Sequence, residues 1–263
     1  MNSIKSTKLF FLFFFCFAKL SFATTILIDP GHGGEDLGAQ TRGKNGKLYY
    51  EKDITLEISK RIYDILKKKH TVYLTRSHDR TVSLAERADL AEKIKADLFI
   101  SIHMNSTTEH TSHGIETYYL DNHHNAAVKK IEKVENSQGP GKSDEDHAVT
   151  QILTDLVVQK TVGSSRRLAQ MVHGSLRQHL VSAYTVHDRG VKAGLFYVLA
   201  LTKRPAILIE CGFISNNPEL RRLLNPLFQN QFAKAVAEGI SDYLVDGPKK
   251  IFKKPSTKEV PLL

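Results

Sequence analysis

Three short apolar runs each end in a side chain able to bind a metal ion or move a proton. ILIDPGH ends at His32, LFISIH at His103 and AILIE at Glu210. Runs of this kind, bounded by Pro, Gly or charged residues, read as buried strands. In an open α/β sheet the loops at the carboxyl ends of the strands converge, so residues far apart in sequence meet in one crevice. Glu51, at the start of the segment after the first loop, is placed to reach the same edge. Two imidazoles and one carboxylate are a known ligand set for catalytic zinc, with a fourth position left for water. One zinc ion on His32, Glu51 and His103 would lower the pKa of that water to about 7 and polarise an amide carbonyl. A second carboxylate must then take the water proton and return it to the leaving amine, a role open to Glu210.

Each of these residues also has an ordinary structural explanation. A His after a strand commonly hydrogen-bonds its own loop, a Glu opening a helix favours the positive end of the helix dipole, and Glu210 fits a surface carboxylate equally well. No HExxH spacing is present, so pattern alone leaves both readings open. Other chemistries have less support. The turn Gly31-His32-Gly33-Gly34 lacks the Gly-Lys-Ser/Thr ending of a phosphate-binding loop and the GxGxxG of a dinucleotide site. Cys211 follows a buried strand directly, where a thiol is expected to be packed and inert. Neither SxxK nor GxSxG occurs, which removes the usual serine acyl-enzyme signatures.

The elements that must position these residues follow from periodicity. Ile54, Ile58, Ile62, Ile65 and Leu66 give the segment from Glu51 to Lys69 one apolar helical face. VYLT from Val72 to Thr75 reads as a strand, Ser83 to Lys95 as a helix with Leu84, Ala88, Ala91 and Ile94 on one side, and IETYYL from Ile115 to Leu120 as another strand. After the break from Asp121 to Gly163, a helix is expected from about Ser164 to Leu180. Strands follow at Leu195 to Leu199 and Ala206 to Ile209, then a closing helix from Asn225 to about Val245. Alternating strands and helices argue for an α/β fold, a single three-layer domain whose mostly parallel mixed sheet carries helices on both faces. Residues 121–163 read as an insertion. They hold the turn Gln138-Gly139-Pro140-Gly141 and an isolated apolar run from Ala148 to Val158.

With 41% hydrophobic residues the chain can fill an ordinary core, which excludes general disorder. Lys5 and Lys8 precede the apolar run from Leu9 to Phe17, and Ser21-Phe22-Ala23 offers small residues for cleavage, so residues 1–23 read as a secretory signal peptide. The run falls short of the roughly 20 residues that span a bilayer, so no stable membrane anchor is expected after cleavage. Cys16 lies in this leader, and Cys211 alone cannot form an internal disulfide. Without the three leader lysines, 34 basic residues face 28 acidic ones. A moderately basic exported protein suits an anionic polymer such as the cell wall, but the same balance would serve nucleic acid or simple solubility, so charge alone decides nothing; a nucleic-acid partner is not expected. The catalytic unit is expected over residues 24–247, with 248–263 a solvated basic tail.

Taken in order, DPGHGGEDLGA from Asp29, Glu51 ahead of a long helix, SIHMNS from Ser101, RGVKAGLFYVL from Arg189 and ECGFISN from Glu210 resemble the successive signatures of the zinc-dependent N-acetylmuramoyl-L-alanine amidases, over about Thr25 to Tyr243. The resemblance implies one zinc ion on His32, Glu51 and His103 and the catalytic carboxylate at Glu210. It implies hydrolysis of the amide between the lactyl group of N-acetylmuramic acid and L-alanine in peptidoglycan, in the periplasm. It also implies, for members of the cell-separation type, an inserted helix whose Glu blocks the zinc until a protein activator displaces it. Residues 121–163 are similar in place and character, with Glu135 the expected blocking ligand and Glu132 its rival. A charged surface loop is the competing reading of that segment. Two other readings of the whole chain remain: a zinc peptidase or carboxypeptidase acting on the stem peptide, and a catalytically silent wall-binding module.

Overall fold

The computed structural model of the protein describes residues 24–121, 128–137 and 144–246. The expected leader (1–23), the basic tail (248–263) and the turn from Gln138 to Gly141 lie outside the described residues. In chain order the elements are β1 (Thr25–Pro30), β2 (Gln40–Arg42), β3 (Leu48–Tyr50), α1 (Glu51–Leu66), β4 (Thr71–Leu74), α2 (Leu84–Lys93), β5 (Leu98–Asn105), β6 (Ile115–Leu120), α3 (Lys129–Glu135), α4 (Asp144–Tyr184), β7 (Asp188–Gly194), α5 (Tyr197–Thr202), β8 (Ala206–Phe213), α6 (Asn217–Leu223) and α7 (Pro226–Asp246).

Six strands form one sheet in the order β4-β1-β5-β8-β6-β7, and a small antiparallel hairpin joins β2 to β3. Within the large sheet only β6 and β8 run antiparallel. The central strands are covered on both faces, which is why they read as continuous apolar runs. Ile26, Ile28, Ile100, Ile102, Ile207 and Ile209 pack into one core with α1, α7 and the C-terminal half of α4, whereas Leu27, Phe99 and Leu208 pack into a second core with α2 and α5. The expected three-layer α/β fold is therefore present. Among the described residues no helix is long and apolar enough to cross a membrane.

Local sequence explains how the helices begin. Ser83 and Glu86 form a capping box at the start of α2, with Ser83 Oγ accepting from Glu86 N at 3.2 Å and Glu86 Oε2 accepting from Ser83 N at 2.8 Å. Tyr50 gives α1 no side-chain cap. The loop after β1 serves instead, its Ala39 carbonyl accepting from Glu51 N at 2.8 Å. That bond ties Glu51 to the same loop that carries His32.

Three expectations change in detail. LFYVL, expected as a strand at Leu195 to Leu199, is no strand: Phe196 caps the short helix α5 and Tyr197 to Leu199 open it, with Val198, Leu199 and Ala200 buried. A short apolar run fits a buried helix as well as a strand. The actual strand lies just before it in β7, whose residues are mostly half-buried and show no apolar run. Second, the helix expected from Ser164 is the C-terminal part of a 41-residue α4 that begins at Asp144. Gly163 lies inside it, exposed, where it weakens the helix by only about 1 kcal/mol relative to Ala. Third, the buried stripe of α2 is centred on Arg87 and Ala91 rather than on apolar residues alone.

α7 packs closely on α4. A Cβ added at Gly239 would stand 2.5 Å from the Cα of Val172. Gly239→Ala is therefore expected to destabilise the fold by about 1–3 kcal/mol, since a packed backbone cannot yield to an added methyl without moving. Urea denaturation would register the change, and an unaltered midpoint would mean that the two helices part freely.

Candidate active site at the carboxyl edge of the sheet

The carboxyl ends of β1 and β5 and the first turn of α1 bring His32, His103 and Glu51 together. One ligand atom from each of these residues, with one from Glu135, lies within 4.8 Å of the others. Glu51 Oε1 is 3.1 Å from His32 Nε2 and 3.2 Å from His103 Nδ1. Those two ring nitrogens are buried, and although carboxylate oxygens of Glu51 and Glu135 stand close to them, neither nitrogen makes a hydrogen bond of good geometry among the described residues. Orphaned buried nitrogens are costly unless something else binds them. The outer nitrogen of His32 is fixed differently: its Nδ1 meets Asp36 Oδ2 at 2.9 Å, an arrangement that orients a ligating imidazole and sets its tautomer. Glu51 is held by Ala39 N on Oε2 and Met104 N on Oε1, both at 2.8 Å.

The electrostatics favour positive charge at the centre of this group. Burial opposes protonation of His32, but Glu51 and Asp36 outweigh it and raise its pKa to about 10. Burial likewise opposes the charged form of His103, yet Glu135 and Glu51 raise it well above the usual imidazole range. Glu51, though fully buried, is held well below the carboxylate range by the two imidazoles. A cation at the centre would satisfy the same field that otherwise draws protons.

Close backbone approach is built into the loops. A Cβ at Gly31 would lie 2.5 Å from His103 Cε1, and one at Gly38, where φ is +64°, would lie 2.6 Å from His32 Cδ2. Only glycine leaves room for both imidazoles there. Beneath them two buried arginines grip the loop. Arg87 donates to the carbonyls of Pro30 and His32, each at 3.0 Å, and to Asp29. Arg76 donates to Pro30 O at 3.1 Å and to Gly31 O at 2.8 Å. Asp29 also accepts from Thr75 Oγ1 at 2.6 Å and Ser101 Oγ at 2.8 Å. Its burial disfavours ionisation, but Arg87 and Thr75 keep its pKa below the ordinary value. Arg87→Ala would strand the Asp29 charge, an expected loss of about 3–5 kcal/mol of stability. Thermal or urea unfolding checks this, and a loss under 1 kcal/mol would mean that Asp29 finds another partner.

Sequence reasoning did not single out Asp29, Asp36, Arg76 or Arg87. The only signal for any of them is that Asp29 and Asp36 flank His32 in DPGHGGED.

Glu210 sits beside this group. It is the register partner of His103 on the neighbouring strand, fully buried, and neither carboxylate oxygen has a hydrogen-bond partner among the described residues. Burial and the nearby Glu135 push its pKa well above the carboxylate range. Cys211 is buried, and burial raises its thiol pKa as well, which disfavours the nucleophilic thiolate.

The two candidate glutamates of the inserted segment part company. Glu135 Oε2 lies 2.9 Å from His103 Nδ1 and 3.7 Å from His32 Nε2. Glu132 turns the other way, its Oε1 accepting from Leu195 N at 2.7 Å. Asn136 accepts from Tyr197 N at 2.8 Å and donates to Leu195 O at 2.6 Å. Glu132 and Asn136 thus clasp α3 to the start of α5, and the clasp aims Glu135 into the cluster. A cavity of about 720 Å³ leads away from this point, lined by Glu51, Asn105, Glu116, Glu135, Arg189 and Phe213 among others.

Comparison with known proteins identifies the family of the chain. Residues 26–242 match the family model described as N-acetylmuramoyl-L-alanine amidase. The chain is 34% identical to N-acetylmuramoyl-L-alanine amidase AmiA of Escherichia coli over 226 residues, covering 83% of this chain and 75% of that protein. Its fold resembles the solved structure of an N-acetylmuramoyl-L-alanine amidase from Clostridium difficile 630, with a TM-score of 0.63 at 32% identity, over 86% of this chain and 99% of the other. AmiC2 of Nostoc punctiforme gives the same TM-score and identity over 84% and 97% of the two chains. A match over nearly the whole described fold, reaching from the first strand to the last helix, means that this chain belongs to the N-acetylmuramoyl-L-alanine amidase family.

Proposed function

We propose that the protein hydrolyses the amide between the lactyl group of N-acetylmuramic acid and L-alanine in peptidoglycan, with one zinc ion held by His32, Glu51 and His103 and with Glu210 as general base. The observation that carries the reading is the cluster itself: two orphaned buried imidazole nitrogens facing one buried carboxylate, in a chain of this family. That donor set fits zinc, with a further position open to water and substrate.

When bound, the metal supplies Lewis acidity toward the amide carbonyl and makes water acidic enough to deprotonate at neutral pH. The chain's own residues do the rest. Asp36 and the Ala39 and Met104 amides hold His32 and Glu51 in place before substrate arrives. Glu210 takes the water proton on a carboxylate oxygen and passes it to the nitrogen of the departing L-alanine. Its buried surroundings, with no competing hydrogen-bond partner among the described residues, leave both oxygens free for that transfer.

Glu135 is the off-switch in this reading. Held at the cluster by the α3 clasp, it competes with water and substrate at high effective concentration. A protein activator that draws α3 from α5 would free the position, and export to the periplasm, with residues 1–23 as the leader, would bring the enzyme to its polymer.

End-group analysis of a digested muramyl tripeptide tests the bond cut. The expected product is the intact peptide with a free L-alanine amine. A new amine on any later residue would make the protein a peptidase.

A further inference from the structure

The cleft beyond the metal cluster has a second charged centre, built on Glu116. This residue is fully buried and is the register partner of Glu210, so it follows His103 and Glu210 in a row across three strands. It accepts hydrogen bonds from Lys192 Nζ at 2.9 Å, from the Tyr118 hydroxyl and from Arg189 Nε. Burial opposes its ionisation, but Tyr118, Lys192 and Arg189 keep its pKa below the usual range. One anion thus faces two cations, and a positive charge is left over.

Arg189 is arranged unlike an ordinary surface arginine. Its guanidinium lies over the ring of Phe213, 5.1 Å from the centroid, and only Nε is committed to Glu116. Its terminal nitrogens make no hydrogen bond among the described residues, and the side chain is 33% exposed. Arg189, Lys192, Glu116 and Phe213 line the same cavity as Glu51. A guanidinium fixed by Nε and by stacking still offers a planar pair of donors, the arrangement that recognises a carboxylate through two parallel hydrogen bonds.

We propose that Arg189, positioned by Glu116 and Phe213 and assisted by Lys192, binds a free carboxylate on the peptide side of the scissile amide. The proposal rests on the amidase reading and names a specificity subsite within it. Phe213 belongs to β8 and Glu116 to β6, one and two strands from His103. At ~4.8 Å per strand the guanidinium therefore stands roughly 5–10 Å across the sheet from His103. An extended peptide covers that span in about two to three residues at ~3.3 Å each, so the carboxylate lies on the second or third residue of the peptide.

The test compares a muramyl tripeptide bearing free carboxylates with the same compound in which every carboxylate is a carboxamide. Both are given to the full chain carrying Glu135→Ala, alone and combined with Arg189→Gln or Arg189→Lys. The expected result is that Arg189→Gln lowers kcat/KM for the acid by about 10- to 100-fold, mostly through KM, and changes the amide by less than about 3-fold. Arg189→Lys should recover part of the loss. An equal loss for both compounds would reduce Arg189 to a structural residue, and no loss for either would also overturn the proposal. If the parent variant cleaves neither compound, the amidase reading itself fails. Calorimetric binding of the synthetic free tripeptide, as acid and as amide, then decides the subsite separately: preference for the acid that disappears in Arg189→Gln supports it, whereas equal binding, or none, overturns it.

Discussion

Glu210→Gln is expected to lower kcat by about 10²- to 10⁴-fold, the usual contribution of a positioned acid or base, with bound zinc unchanged. Glutamine keeps the shape of the side chain and removes its proton-accepting charge. Glu210 is also not among the residues whose ligand atoms cluster, since those are His32, Glu51, His103 and Glu135. Metal content and activity should therefore separate. Zinc analysis beside initial rates on a soluble muramyl peptide checks this. A variant that loses its metal would make Glu210 a ligand, and one within tenfold of the parent would place the base elsewhere.

Glu135→Ala is expected to act in the opposite direction, raising activity on the order of 10- to 100-fold by removing a tethered competitor from the metal. Glu132→Ala and Asn136→Ala should raise it too, by less, because they loosen the clasp on Leu195 and Tyr197 while leaving Glu135 intact. Rates without any added partner protein are the measurement. If Glu135→Ala instead weakens zinc binding and lowers the rate, Glu135 is a permanent fourth ligand and not a switch.

How much of this was legible in the sequence depended on what each element has to bury. β1, β5 and β8 are covered on both faces, so their apolar runs announced them, along with the His or Glu that follows or closes each run. α1 and α7 likewise show an apolar face. β7 is an edge strand of mostly half-buried residues, and nothing in RGVKAG marks it as a strand. The neighbouring apolar LFYVL drew the assignment instead, and its last three residues proved helical. α3 has no buried residue of its own, and polar side chains and the buried Val128 just before it hold it in place. No periodicity reports such a contact. The choice of Glu135 over Glu132 rests on its place in the Glu135-Asn136 pair, and the physical difference between them appears only once Glu132 is seen bound to Leu195 N.

The buried support of the site was the least visible. Arginine is normally read as a surface residue, yet Arg76 and Arg87 are 1% and 3% exposed and grip the carbonyls of Pro30, Gly31 and His32. Those carbonyls lie 45 to 57 positions away in sequence, so local pattern carries no trace of the pairing. Glu116 posed a related difficulty. In IETYYL it alternates as a solvent-facing residue of a strand would, but Arg189 and Lys192 from β7 bury it.

The measurement that tests the central claim most directly is release of stem peptides from purified peptidoglycan by the Glu135→Ala chain, read by mass spectrometry before chelation, after it, and after zinc is restored. The account predicts intact peptides beginning with L-alanine, lost on chelation and recovered with one equivalent of zinc. Release that persists undiminished in the chelated protein would contradict it, because His32, Glu51 and His103 would then have no metal to hold during the reaction.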